Sequence, residues 1–283
     1  MSLKDKVIIT VAPTGLVANR NQCPAIPYTP DEIASEAYRS YQEGASVVHI
    51  HARENDGTPT QREEVYKAIK DKIISKCDMI INFSTGTVGV PKEERIKHIT
   101  NLKPDLGALN MGSMNYAKYS AKKKGFVFDF VFENPFSTIE FFLRHMLEAG
   151  VKPELECFDT GHVNNAMPFI DMGLLKPPIQ YSFIMGVLGG IAATKENLTH
   201  QARQIDARST WEVIGISLEQ WSMVRAALEL GGNIRVGLED NFYLEENVMA
   251  KSNGDLVKKA VQMTRECGRN VATVAEAKKM LGL

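Results

Sequence analysis

The stretch Ser46-Val47-Val48-His49-Ile50-His51, approached from Thr29-Pro30-Asp31-Glu32 and Gly44, carries the reading of the fold. Two histidines two positions apart, set in β-branched aliphatics, do not fit one helix face. On a strand, side chains at i and i+2 project together. His49 and His51 then point to one side while Val48 and Ile50 point to the other. Upstream, Thr29 offers a capping hydroxyl, Pro30 fits the first helical position and Glu32 lies three residues past the cap. Gly44 stands where a closing left-handed residue is wanted. The unit is a helix feeding a strand.

The same unit recurs along the chain. Strands are expected at Val7–Ala12, Ser46–His51, Met79–Phe83, Leu106–Asn110, Glu154–Phe158, Gln180–Met185, Thr210–Ile214 and Asn233–Val236. Late helices start at Ser252-Asn253-Gly254-Asp255 and Thr273-Val274-Ala275-Glu276, with Gly268 after the first of them. Eight strands alternating with helices over ~250 residues give the α/β class and predict a (β/α)8 TIM barrel. An open doubly wound sheet is the runner-up, weakened by the lack of G-x-G-x-x-G after the first strand. No linker, low-complexity tract or short repeat divides the chain. Residues 1–283 are expected to be a single TIM-barrel domain with a C-terminal helical extension.

Composition narrows the function. The formal charge of −1 and pI near 6.6 argue against a nucleic-acid surface. Lys122-Lys123-Lys124 reads as a solvated face. Four scattered cysteines without a Cys-x-x-Cys pair fit neither a zinc module nor a disulfide framework, which favours a reducing, cytoplasmic setting. The apolar run Val7–Val11 is too short for a signal peptide, and no 18-residue apolar stretch exists, so no membrane partner is expected.

In such barrels chemistry gathers at the C-terminal ends of the strands. His49 and His51 end strand two, Asn82 and Ser84 end strand three, and Asn110 ends strand four. Glu154 and Glu156 lie on strand five, and Arg235 on strand eight is followed by Glu239 and Asp240. Strands two and eight both neighbour strand one, so His49, His51 and Glu239 can supply the two-histidine, one-carboxylate set of a catalytic zinc site. Nickel, cobalt or manganese suits the same ligands. The competing reading makes the histidines hydrogen-bonded parts of the barrel mouth. Adjacent carboxylates diverge, so one of Glu239 and Asp240 is the ligand and the other a general base. Arg235 can pair with Asp240 or Glu156, either to hold the base or as a structural ion pair.

Short matches in order along nearly the whole chain make the sequence similar to the β-keto acid cleavage enzymes, founded on 3-keto-5-aminohexanoate cleavage. They include Pro13-Thr14-Gly15, Thr29-Pro30, Glu43-Gly44-Ala45, His49-Ile50-His51-Ala52-Arg53, Asp56-Gly57 and Gln61-Arg62. They continue through Ser84-Thr85-Gly86, Leu109-Asn110-Met111-Gly112-Ser113, Pro153-Glu154-Leu155-Glu156, Gly186 to Gly190, and Gly237-Leu238-Glu239-Asp240-Asn241. The resemblance implies a TIM barrel with Zn2+ on His49, His51 and Glu239, converting a β-keto acid and acetyl-CoA into acetoacetate and a new CoA thioester. It implies Asp240 as base, oriented by Arg235 and Glu156, with Ser84 and Asn110 on the keto acid. It also implies a homo-oligomer, a tetramer in the family. Met280, Leu281 and Leu283 either tuck into a neighbour or cap the barrel.

Three departures bear on substrate. Val17 stands where the family's first loop offers a glutamate for a substrate amine, which favours an apolar or small substrate side chain. Ala108 replaces a threonine in the same pocket, and Leu188 replaces a proline in Gly186-Val187-Leu188-Gly189-Gly190. Gly186, Gly189 and Gly190 either admit CoA closely or form a plain turn. Two other functions remain as alternatives. A metal-dependent amidohydrolase-type hydrolase also uses His-x-His, but on the first strand and with further histidines that His98, His145, His162 and His200 do not supply. A catalytically silent barrel binding a small acid predicts the same pocket without turnover.

Overall fold

A computed structural model describes residues 3–283. Eight parallel strands close into a barrel: β1 (Ile9–Val11), β2 (Val47–Ile50), β3 (Ile80–Ser84), β4 (Leu106–Asn110), β5 (Lys152–Cys157), β6 (Gln180–Met185), β7 (Thr210–Gly215) and β8 (Asn233–Val236). β8 pairs with β1 through Arg235 and Thr10, and β1 with β2 through Thr10 and Val47, which closes the ring. Helices cover the outside. The helix α1 (Pro30–Glu43) has the expected capping box, Thr29 accepting from the Glu32 amide and the Glu32 side chain reaching back, and ends on left-handed Gly44 (φ 119°). The helix α2 (Asn253–Glu266) starts on Ser252, and α3 (Val274–Leu281) on a second capping box at Thr273.

Strand alternation sends one set of side chains into the barrel. Apolar residues occupy its N-terminal end. Ile8, Val47, Ile80 and Leu106 meet Ala272, Val274, Ala277 and Leu281 in one buried cluster, so α3 plugs that end. Leu281 is 1% exposed and caps the barrel, whereas Leu283 is 44% exposed. One layer higher, the odd strands contribute Thr10, Asn82, Glu154 and Glu212, all nearly fully buried. The even strands place His49, Ala108, Ser182 and Arg235 in the next layer, as alternation between neighbours dictates. Barrel interiors usually fill such layers with branched aliphatics. Here polar and charged groups rise from mid-barrel to the mouth.

The largest element that escaped the sequence reading lies between β4 and β5. It is an antiparallel hairpin, Met114–Ser120 with Gly125–Phe132. Its turn carries the exposed Lys122, Lys123 and Lys124. Its base packs Met114 and Phe132 onto Phe158, Ile184, Val187 and Ile214 over the β5–β7 side of the mouth. The four cysteines are unpaired. Among the described residues no helix is long and apolar enough to cross a membrane.

Candidate metal centre and active site

His49 and His51 leave β2 on the same side, their ring centroids 5.2 Å apart. Both Nε2 atoms face Glu239 Oε1, at 3.8 Å from His49 and 3.6 Å from His51. The potential ligand atoms of the three residues lie within 4.8 Å of one another, and no other His, Cys, Asp or Glu among the described residues joins the group. Glu239 reaches them because the chain turns sharply after β8. Gly237 has φ 150°, and a side chain there would collide with the Ala12 backbone. The Glu239 amide then donates to Ala12 O at 3.1 Å, and Asn253 Oδ1 of α2 accepts from the Leu238 amide at 2.9 Å.

The residues fit a divalent metal. Both ring nitrogens of His49, Nδ1 of His51 and Oε2 of Glu239 are buried without a hydrogen-bond partner. Unpaired buried polar atoms are costly, and a divalent cation is one partner that suits this donor set. Burial, then Arg235 and His51, hold His49 well below its ordinary value. Burial, then Arg235 and Arg53, press His51 down to about 3. Both imidazoles are therefore neutral, as metal ligation requires. Among the described residues no group hydrogen-bonds either ring nitrogen of His49 or Nδ1 of His51, which favours ligation over a hydrogen-bonded pair.

Arg235 organises the carboxylates. It donates to Asp240 through Nε (2.9 Å) and Nη2 (3.0 Å), and through Nη2 to Glu239 Oε1 at 2.6 Å. Glu156 Oε1 is 3.8 Å from Nη1, which has no hydrogen-bond partner. The sequence left Arg235 a choice between Asp240 and Glu156; Asp240 takes the two-point contact and Glu156 stands further off. Burial works against the guanidinium's charge, but Asp240, Glu239 and Glu156 outweigh it. Burial raises Asp240 to about 7, with Arg235 opposing and Glu239 adding. Burial and Glu154 raise Glu156 to about 8, again against Arg235.

Ser84 and Asn110 meet beside the histidines. A Cβ placed on Gly86 would lie 3.3 Å from Ser84 Oγ, 3.4 Å from Asn110 Nδ2 and 3.9 Å from His51 Cε1, so all three surround one point. Asn110 Nδ2 is buried and unpartnered. Ala108 is fully buried one layer below Asn110. Val17 is 62% exposed on the first loop, whose Gly15 lies against the Glu239 side chain. Gly189 and Gly190 have a reason within the protein. A side chain at either would strike the carbonyl oxygen of Asn115 in the hairpin or of Phe158 after β5. Gly186 takes φ 94° where the loop leaves β6.

Two neighbours of the site were given no role by the sequence. Arg53, 2% exposed, donates from Nε to Gly15 O at 2.8 Å and from Nη2 to Ala18 O at 2.6 Å, which anchors the first loop. Its place in His-x-His-x-Arg was the available signal. Tyr116 of the hairpin stacks on Phe130 (5.4 Å between centroids). Burial, with Glu239, Asp240 and Glu156 behind it, raises its phenol to about 12. The remaining histidines serve elsewhere. His98 contacts Ser84 O through Nε2 at 2.9 Å, and His162 Nδ1 accepts from the Phe158 amide at 3.3 Å.

Comparison with known proteins adds the family. Residues 6–283 match the family described as beta-keto acid cleavage enzyme. The 3-keto-5-aminohexanoate cleavage enzyme of Acetoanaerobium sticklandii is 41% identical over 281 residues, covering 99% of each chain. The 3,5-dioxohexanoate:acetyl-CoA acetone transferase of Paraburkholderia graminis is 36% identical over 304 residues, covering 100% of this chain and 97% of that one. Among solved structures, apo ObcA superposes with a TM-score of 0.78 at 20% identity, over 92% of this chain and 66% of its own. That is a likeness of fold, spanning about two thirds of ObcA's length.

Proposed function

The chain belongs to the beta-keto acid cleavage enzyme family, and from that membership we propose that it exchanges acyl groups between a β-keto acid and acetyl-CoA, releasing acetoacetate and a new acyl-CoA. The observation that supports this reading is the approach of His49 and His51 Nε2 to Glu239 Oε1, 3.8 and 3.6 Å away, with Arg235 holding Asp240 next to that carboxylate. His49, His51 and Glu239 would hold a divalent cation, zinc foremost. Such an ion draws electron density from the keto and carboxylate oxygens of a β-keto acid and makes its α-carbon acidic.

The chain's own groups do the rest. Asp240, held on two points by Arg235, takes the α-proton; a base whose own value lies near neutrality is matched to this task. The carbanion forms a bond to the acetyl carbon of acetyl-CoA, and the CoA thiolate leaves. That thiolate then adds to the original acyl carbon, the old carbon–carbon bond breaks, and the departing acetoacetate carbanion recovers its proton from Asp240. Ser84 Oγ and Asn110 Nδ2 donate to substrate oxygens, and Glu156 keeps the free face of Arg235 oriented. Val17 offers no partner for an ammonium group, so the keto acid carries an apolar or small side chain. Gly186, Gly189 and Gly190 place the loop beside which CoA would pass.

The test is to follow acetoacetate from metal-replete protein mixed with acetyl-CoA and β-keto acids bearing aliphatic, primary ammonium and quaternary ammonium side chains. Turnover of aliphatic members is expected, and inactivity across the panel overturns the reading. His49→Ala, checked as folded by circular dichroism, is expected to lose bound metal in elemental analysis; full stoichiometry in that variant would remove His49 from the ligand set.

A further inference from the structure

Below the metal ligands and Arg235 lies a polar layer that the proposed reaction does not use. Glu154 of β5 and Glu212 of β7 are 2% and 1% exposed. Ser182 bridges them, donating to Glu154 and lying 3.2 Å from Glu212 Oε1. Asn82 Nδ2 donates to Glu154, and Thr10 Oγ1 donates to Glu212 Oε2 at 2.6 Å. Beneath them is a void of about 10 Å³, bounded by Gln180 and Leu281 among others, which has room for a single water. One water screens two charges poorly, and two adjacent carboxylates in so enclosed a site do not both ionise.

The charged groups around the pair are few. Arg235 of β8 acts on both glutamates through its charge, Glu156 lies two residues further along β5, and Glu154 in turn acts on Glu239 of the loop after β8. Thr10, Asn82, Ser182 and Gln180, from β1, β3 and β6, are neutral. Arg235 is already held by Asp240 and Glu239, so it leaves the pair too little positive charge to compensate two carboxylates. Burial raises both glutamates above the ordinary carboxyl range, with Glu154 adding to the rise at Glu212.

We propose that Glu154 and Glu212 share one proton and act as a positioning pair, presenting a single buried negative charge beneath Arg235 that steadies its guanidinium between the pair below and Asp240 and Glu156 above. A neutral amide can replace the protonated member of such a pair at little cost, because the other then stays ionised. Replacing both removes the charge. The positioning role rests on the acyl-exchange reading, whereas the shared proton does not.

Glu154→Gln, Glu212→Gln and the double variant test it. Each single change is expected to lower kcat by about threefold, and the double by about tenfold more than the product of the two. Infrared difference spectra against the wild type at pH 8 are expected to show a protonated-carboxyl signal lost in each single variant. Independent, multiplying losses, or an unchanged signal in both singles, overturn the proposal. Should the wild type turn over no β-keto acid, the acyl-exchange reading fails on its own. The pair is then judged by the infrared result and by a crystal structure of the double variant, where an unmoved Arg235 guanidinium refutes positioning.

Discussion

At its N-terminal end the barrel closes on Ile8, Val47, Ile80 and Leu106 over α3, while two to four residues further along the same strands it carries His49, Ser84 and Asn110. The lower set has only carbon to bury and buries it. The upper set keeps unpartnered nitrogens and oxygens on His49, Asn110, Arg235 and Glu239. Strand alternation serves both ends alike, so stability and chemistry are separated by height along one barrel. Buried polar atoms are costly at the mouth unless something completes them, and the apolar plug offsets part of that cost.

Substitutions at the two ends should therefore fail differently. The largest effect is expected for Asp240→Asn, which keeps the shape but not the base: acetoacetate formation should fall by about 10³-fold with thermal stability retained. An unfolded variant, or one of near-normal rate, would break the division. At the opposite end, Ile80→Ala should cost about 3 kcal/mol in denaturant unfolding while folded molecules keep their kcat within about twofold. A fall in kcat matching that of Asp240→Asn would mean that the plug governs the chemistry.

His98 sharpens the comparison through pH. It is buried against Tyr66 and contacts Ser84 O, and burial lowers it to about 4 from an ordinary 6.5. The folded state thus disfavours the protonated ring, and the unfolded chain takes up the proton first. The resulting stability is complete above pH 6.5 and is lost as pH falls toward 4, about 2 kcal/mol of it by pH 4.5. Chemical denaturation at pH 7.5 and 4.5 should show that slope reduced in His98→Gln; an unchanged slope would assign the acid sensitivity to other groups. The smallest effect is expected at Val17, where Val17→Glu should shift kcat/KM toward an ammonium-bearing keto acid by about threefold, in keeping with an exposed ion pair. A shift of the opposite sign would place the substrate side chain elsewhere.

Much of this was legible in the sequence. Leu106–Asn110, Gln180–Met185 and Asn233–Val236 appear with the expected bounds, because turn residues fence each apolar run. His49, His51 and Glu239 came together as strand parity and barrel closure required. The hairpin Met114–Phe132 was not anticipated, although Phe126, Phe128, Phe130 and Phe132 alternate with period two. A barrel reading assigns the span between two strands to a helix, and the inserted strands pair with each other outside the barrel, apart from a bridge from Ala117 to Leu188. Nor could the sequence show that Glu154, two residues before Glu156, lies a layer deeper and pairs with Glu212 across Ser182. That depends on the stagger of strands far apart in the chain.

The first loop is held by its main chain. Arg53 grips the carbonyl oxygens of Gly15 and Ala18, on either side of Val17, and the Val17 side chain is left to solvent. A clamp on carbonyls is indifferent to which residue occupies the position between them. Substitution at that position can therefore be absorbed without disturbing Glu239 beneath Gly15, so the loop is free to vary at its tip while its main chain stays fixed.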